Sequence, residues 1–243
     1  MPHRILSLDE TAGYLHLPLA DVEQLVKNAE IPFEKRGHRV VFVRRDIDAW
    51  ASQRILGLSS RRLAEYHQQS TDRTRGVFEH ETIMPEMINP TDIDPAMKAK
   101  TKASVVRDMV ALADKTGQVC DPRELLASIE EREALCATAL PGGLALLHAR
   151  HHLPYLFESS FMVLGRTIQE IPFGAPDGLP TRLFFLICCQ DDRIHLHTLA
   201  RLCLMAQKTD LITELLQAPD ADAMHACLLA GEQEALQGKR RGG

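Results

Sequence analysis

Eleven histidines stand among the 243 residues, and two clusters of them could do chemistry: His148-Ala-Arg-His-His152 and His195-Leu-His197. His148 closes an apolar run, Leu144–Leu147, that follows Gly142-Gly143. This predicts a strand after a tight turn, with the ring emerging at a sheet edge where backbone amides can be approached. Upstream stands Glu131-Arg-Glu133, and downstream His195 begins a helix for which Asp192 is the expected N-cap. A helix N-terminus offers free N–H groups and partial positive charge to an anion. A nucleophilic imidazole, a guanidinium and a second imidazole at a helix mouth suit phosphoryl transfer, which depends on positioning and on neutralising oxygen charge. Zinc would need three or four converging ligands. Cys188, Cys189, His195 and His197 are close in sequence, but neighbouring strand residues point to opposite faces. No metal site and no cofactor is expected.

These groups must be held by an α/β framework that starts near Ala96. Val106, Met109, Val110 and Ala113 recur at helical spacing, and Gly117 is placed to end that helix. Asp121-Pro122 opens a second helix, with the acid as N-cap and proline at the first helical position. Strands are predicted at 144–148, 161–166 and 183–189, then helices at 193–207, 211–216 and 221–229. Apolar strands flanked by helices imply a sheet covered on two faces.

The first 56 residues read as a separate small module. Ser7-Leu-Asp-Glu10 has capping-box spacing for a helix start. A second helix is predicted over 19–28, then a hairpin about Gly37 with Lys35, Arg36, His38 and Arg39 near its tip, and a third helix from Arg45 through Trp50. Two short helices, a basic hairpin and a helix describe a winged helix-turn-helix. Residues 57–95 read as a linker, helical over 61–69 and with little fixed structure afterwards. The expected division is therefore 1–56, a linker 57–95, an α/β domain 96–236 and a tail 237–243.

The composition, 45% hydrophobic and 25% charged, is that of a soluble globular chain and excludes disorder or a collagenous repeat. The longest uncharged apolar run, 183–189, is far short of the roughly 20 residues needed to span a bilayer, so no membrane insertion is expected. Neither a secretory leader nor a Cys-x-x-Cys pair is apparent, so a cytoplasmic location with reduced thiols is expected. The net charge of −5 conceals a basic stretch between Phe33 and Arg75, with ten Lys/Arg against five Asp/Glu.

Three ordered stretches carry a resemblance: Glu131-Arg-Glu-Ala-Leu-Cys-Ala-Thr-Ala-Leu-Pro-Gly-Gly-Leu-Ala-Leu-Leu-His148, Ile171-Pro-Phe-Gly-Ala-Pro-Asp-Gly178 and His195-Leu-His-Thr-Leu-Ala-Arg-Leu202. Residues from about 98 to 236 resemble the IIA component of the mannitol/fructose class of the phosphoenolpyruvate-dependent phosphotransferase system, especially its nitrogen-regulatory branch. The resemblance implies a mixed sheet flanked by helices, and that His148 carries the phosphoryl group, with Arg132, Thr138 and His195 as further active-site residues. The family usually has proline directly before the histidine, whereas Leu147 stands here.

The N-terminal stretch Ile5-Leu-Ser-Leu-Asp-Glu-Thr-Ala-Gly-Tyr-Leu15, the Ile31-Pro32 turn and Asp46-Ile-Asp-Ala-Trp50 resemble the excisionase-like branch of MerR-related winged helix-turn-helix domains. That likeness implies a second helix in the major groove and a wing on the flanking backbone. Here the second helix carries Asp21 and Glu23 against Lys27 alone. Phosphate contacts need cations, so Lys35, Arg36, His38, Arg39, Arg44 and Arg45 become the expected DNA contacts, with Lys27 beside them.

Together these likenesses imply a regulatory phosphocarrier. It would accept a phosphoryl group on His148 from an HPr-type phosphohistidine carrier and couple that state to DNA or partner binding, with a homodimer as one expected form. Two other readings stand beside it. One is a sugar-specific IIA subunit that passes phosphate to a IIB component. The other is a non-catalytic DNA- or protein-binding sensor.

Overall fold

Ser7 starts the first helix as its spacing predicts. Its N–H donates to Glu10 Oε2 at 2.7 Å, and Glu10 N–H donates to Ser7 Oγ at 3.2 Å, so two end donors are satisfied reciprocally. In the computed structural model, the described residues are 5–74, 76–151 and 153–237. Residues 1–4, Arg75, His152, the tail from 238 onward and the Asp192 side chain expected as a cap lie outside the described residues. The N-terminal elements are β1 (Ile5–Leu6), α1 (Leu8–Tyr14), α2 (Leu19–Lys27), β2 (Glu34–Arg36), β3 (Arg39–Val43) and α3 (Arg44–Leu56). Their strands form a small antiparallel sheet in the order β1-β3-β2. Gly37 turns the hairpin at φ +62°, a conformation that costs glycine little. Leu15, Val22, Phe42, Ile47 and Ile55 fill the centre of this unit.

Residues 57–95 require a correction. α4 (Ser60–Thr74) fulfils the expected helix and extends it, but the chain after it is not loose. It forms α5 (Met84–Met87) and β4 (Ile93–Met97), and Ile83, Met84, Met87 and Ile88 are fully buried. Their partners lie far along the chain. Glu232 accepts from the N–H groups of Ile83 at 2.8 Å and Met84 at 3.0 Å. No local periodicity could announce an anchor supplied by a carboxylate about 150 residues away.

The remaining elements are α6 (Lys102–Asp114), α7 (Pro122–Leu135), β5 (Ala139–Leu140), β6 (Leu144–His148), β7 (Phe161–Ile171), β8 (Thr181–Cys188), α8 (Asp192–Lys208), α9 (Leu211–Gln217) and α10 (Ala221–Gln237). The five-stranded sheet runs β4-β7-β8-β6-β5. It is mixed: β6 is parallel to β8 and β4 to β7, whereas β5–β6 and β7–β8 are antiparallel. Side chains alternate between its faces. Ala145, Leu147, Phe184 and Leu186 pack with α6 and α7, while Leu144, Leu146, Phe185 and Ile187 pack with α8. The latter core is continuous with the N-terminal elements, because α3 and α4 lie on α8.

α4 and α8 are joined by a buried polar cluster. Arg201 Nε donates to His67 Nε2 at 2.7 Å, Ser70 Oγ meets His197 Nδ1 at 2.9 Å, and the Arg201 guanidinium pairs with the Glu232 carboxylate. Burying an ion pair is unfavourable unless its remaining donors and acceptors are satisfied. Here Arg201 also donates twice to the Glu81 carbonyl.

Candidate active site

The Gly142-Gly143 turn, with φ of +90° and +91°, folds β5 back onto β6. β6 then carries His148 to its last position, paired in register with Ile187 of β8. β5 pairs with β6 only at Leu144 and Ala145, so His148 lies beyond the end of β5. The ring expected to emerge there is instead enclosed, at 1% exposure. Counting from Leu144 and Leu146, His148 falls on the face covered by α8 and the N-terminal elements. Leu147, standing where a proline was expected, packs on the opposite face and is fully buried.

Two hydrogen bonds fix the state of this imidazole. Arg132 Nε donates to His148 Nε2 at 3.1 Å, and His148 Nδ1 lies 2.9 Å from the Leu146 carbonyl. A guanidinium can only donate, so Nε2 carries the lone pair and Nδ1 the proton. Burial lowers the proton affinity of His148 well below its ordinary value, and the Arg132 and His195 charges push the same way. The ring is a neutral base whose nucleophilic nitrogen is Nε2.

Arg132 sits in the last turn of α7 and is itself buried. Its Nη1 donates to the Cys136 carbonyl at 3.0 Å and contacts Cys136 Sγ at 3.2 Å. Its Nη2 is buried and makes no hydrogen bond among the described residues. An unsatisfied buried donor costs about 1–3 kcal/mol, which an oxyanion arriving beside Nε2 would relieve. His195, in the first turn of α8, completes the group, with its ring centroid 5.2 Å from that of His148. The helix opens one residue earlier than expected, with Asp191 O accepting from His195 N–H at 3.1 Å.

Thr138 is placed differently. Its hydroxyl donates to the buried Glu133 carboxylate, which also pairs with Lys102 at 2.8 Å. Thr138 therefore holds the strand next to β6 through its carbonyl, which accepts from Leu146 N–H at 3.1 Å, rather than reaching His148 with its hydroxyl. Sequence reasoning missed Cys136, Glu133 and Lys102 as supports of this site. It also missed Tyr14, Asp48 and Ser52, which approach it from the N-terminal elements. The helical spacing of Arg132 and Cys136 was a local signal for one pair, but nothing local marks the others.

Of the expected DNA contacts, Lys35, Arg36, His38 and Arg39 stand exposed together on the β2–β3 hairpin, with Lys27 exposed at the end of α2. Arg36 is paired with Glu34 at 3.0 Å. Arg44 and Arg45 are elsewhere. The Arg44 guanidinium lies 5.3 Å from the Tyr14 ring centroid, and Arg45 pairs with Asp46 at 3.4 Å. Among the described residues no group of three His, Cys, Asp or Glu side chains could hold a metal, and no helix is long and apolar enough to cross a membrane.

Residues 86–230 match the family model described as phosphoenolpyruvate-dependent sugar phosphotransferase system, EIIA 2. The chain belongs to this family. A curated relative, the fructose-specific EIIABC component of Bacillus subtilis strain 168, is 26% identical over 141 residues, which is 57% of this chain and 22% of that protein. The chain therefore matches about a fifth of that relative's length. Among solved structures, the nitrogen regulatory protein IIA-Ntr of Neisseria meningitidis is similar at TM-score 0.55 and 22% identity, over 60% of this chain and 99% of that one. IIA mannitol of Escherichia coli is similar at TM-score 0.52 and 20% identity, over 58% and 98% of the two chains. These likenesses show an EIIA type 2 fold. The matched segment includes β4, whose first three residues the sequence analysis places in the linker.

Proposed function

We propose that this EIIA type 2 protein is a regulatory phosphocarrier that accepts a phosphoryl group on His148 Nε2 from an HPr-type phosphohistidine protein. The observation that carries this reading is the Nδ1-protonated, neutral state of His148 with a guanidinium at its lone pair. In the transfer, the P–N bond to the carrier's imidazole breaks and leaves its electron pair there, while His148 Nε2 forms the new N–P bond. The proton stays on Nδ1 throughout, donated to the Leu146 carbonyl. Arg132 Nε and Nη2 neutralise the equatorial oxygens, and His195 donates a further hydrogen bond to them. Thr138 acts at a distance, by holding Glu133 and the strand next to β6.

We further propose that residues 1–56 form the excisionase-like winged helix-turn-helix domain and report the phosphorylation state, through DNA held by Lys35, Arg36, His38 and Arg39. Lys27 is placed to assist. The exposed hairpin cations favour this, and the positions of Arg44 and Arg45 beside Tyr14 and Asp46 argue against their sharing in it.

A second reading rests on the likeness to a fructose-specific EIIABC component and to a structure of E. coli enzyme IIAMTL in complex with phosphorylated IIBMTL. Under it the phosphoryl group passes on to a IIB component. The deciding assay incubates the full chain with labelled phosphoenolpyruvate, Enzyme I and HPr. Label is expected on wild type and absent from His148→Gln. An unlabelled wild type, or equal labelling of the variant, overturns the acceptor assignment. Loss of label on adding a IIB protein would favour the transport reading.

A further inference from the structure

A phosphoryl acceptor must meet another protein, yet His148 is 1% exposed. The chain's own N-terminal unit packs over the residues beside it, Ala149 and His195. The cavity beside His195 is bounded on one side by Ala149, Arg150, His151 and His195, and on the other by Tyr14, Asp48 and Ser52. Its volume is about 20 Å³, room for about one water molecule. A phosphorus with three oxygens does not fit there, and a carrier's phosphohistidine fits still less. The charges across this boundary are close enough to be felt: His151 senses both Asp48 and Arg45.

The attachment of the covering unit is uneven. α4 is fastened to α8 by the Ser70–His197 and Arg201–His67 contacts and by Ser60 Oγ donating to Gln207 Oε1 at 2.8 Å. α3, which supplies Asp48 and Ser52, packs on α8 through apolar contacts and is joined to α4 by the short segment Gly57-Leu-Ser59. The polar fastenings to α8 are thus on α4, and the chain has a short joint just before it.

We propose that residues 5–56 are an intramolecular cap on the phosphoryl site, which lifts about the 57–59 joint to admit the carrier and cannot close again over a phosphorylated His148. This rests on the acceptor reading above. Two consequences follow from the space and the charge. Docked, the cap makes His148 a poor acceptor. Once in place, the phosphoryl group adds bulk next to His195 and nearly two negative charges on the side where Asp48 and Ser52 pack, so the cap stays released.

The test uses diethyl pyrocarbonate, which acylates accessible neutral imidazoles, on the full chain, with each histidine read by peptide mass spectrometry. Exposed His38 is the fast reference, and buried His67 and His197 report whether the rest of the fold persists. Wild-type His148 should react at least about tenfold more slowly than His38, since reaction requires local opening. Ser52→Arg, a wedge too large for the cavity, should accelerate His148 by about tenfold while His67 and His197 stay protected. If that wedge also frees His67 and His197, the milder Ser52→Gln is read in its place. An unchanged His148 rate in a folded wedge variant, or a wild-type rate equal to that of His38, overturns the cap.

Phosphotransfer is measured on the same proteins. Faster labelling of the wedge variant supports the cap. No labelling of either protein, with His148 uncovered by the wedge, overturns the acceptor reading and leaves the cover standing. Equal labelling and equal acylation of both proteins overturn the cap and leave the acceptor. Amide hydrogen exchange over residues 44–56 should rise on phosphorylation, and an unchanged pattern refutes the release step.

Discussion

Replacing Arg132 with lysine separates the charge at the site from the fork that delivers it. In the native protein Nε points at the His148 lone pair at 3.1 Å, Nη1 is tied to the Cys136 carbonyl at 3.0 Å, and Nη2 is buried without a partner. Nε and Nη2 are thus two donors aimed where oxygens would gather as the N–P bond forms. Lysine keeps the positive charge but offers a single ammonium on a flexible stem, which cannot hold two oxygens and the Cys136 carbonyl together. Losing one charge-assisted hydrogen bond in the transition state costs about 1.5–3 kcal/mol. At about 1.4 kcal/mol per tenfold, that slows transfer roughly 10- to 150-fold.

The assay is rapid-quench transfer from a labelled HPr-type carrier, at carrier concentrations that separate binding from chemistry. Arg132→Lys should lower the maximal rate while leaving the half-saturating carrier concentration nearly unchanged. Thermal unfolding of the same sample guards against a trivial cause, because the freed Cys136 carbonyl and His148 lone pair cost about 1–3 kcal/mol of stability on their own. A folded Arg132→Lys protein that transfers within about threefold of wild type would show that the guanidinium only orients the ring, and the reasoning about Nη2 would be wrong.

Other predictions follow from the same geometry. His148 is held neutral by burial, by Arg132 and by His195, whereas in the unfolded chain it titrates near its ordinary value of about 6.5. The native state then binds fewer protons than the unfolded state below that pH. The His148 contribution is complete above about pH 6.5 and is lost toward acid, by up to about 1.4 kcal/mol per pH unit, until the folded value is reached. Denaturant titrations between pH 8 and 5 should show this slope in wild type and a flatter one in His148→Gln; identical slopes would contradict it. Glu232→Leu leaves Arg201 buried without its carboxylate and strips the Ile83 and Met84 N–H groups of their acceptor. A loss of about 3–5 kcal/mol is expected by urea unfolding, and a loss below about 1 kcal/mol refutes the anchoring role. Arg36→Ala with Arg39→Ala should weaken binding to any duplex and reduce its salt slope by about two in log–log terms. Wild type failing to retard a duplex at low salt would remove the DNA proposal.

Local chemistry was legible wherever a signal and its consequence lie within one turn or one hairpin. The Ser7 capping box, the Asp121-Pro122 helix start, the Gly142-Gly143 turn and the alternation of β6 and β8 all appear where the spacing places them. So does the meeting of Arg132, His148 and His195, which the family resemblance implied. Short-range hydrogen bonds and side-chain periodicity are properties of neighbouring residues, and these the sequence displays directly.

What the tertiary structure decided is which surfaces close on which. It placed residues 83–97 in the core through Glu232 and β7, turned Thr138 toward Glu133, and set Asp48 and Ser52 of α3 across a small cavity from His195. Each of these depends on groups from about five to 150 residues apart meeting across a layer. Their pairing is chosen by how apolar faces and buried charges are jointly satisfied, not by any pattern along the chain. The sequence by itself named the imidazole. Only the tertiary structure encloses it, at 1% exposure, beside Arg132 and His195.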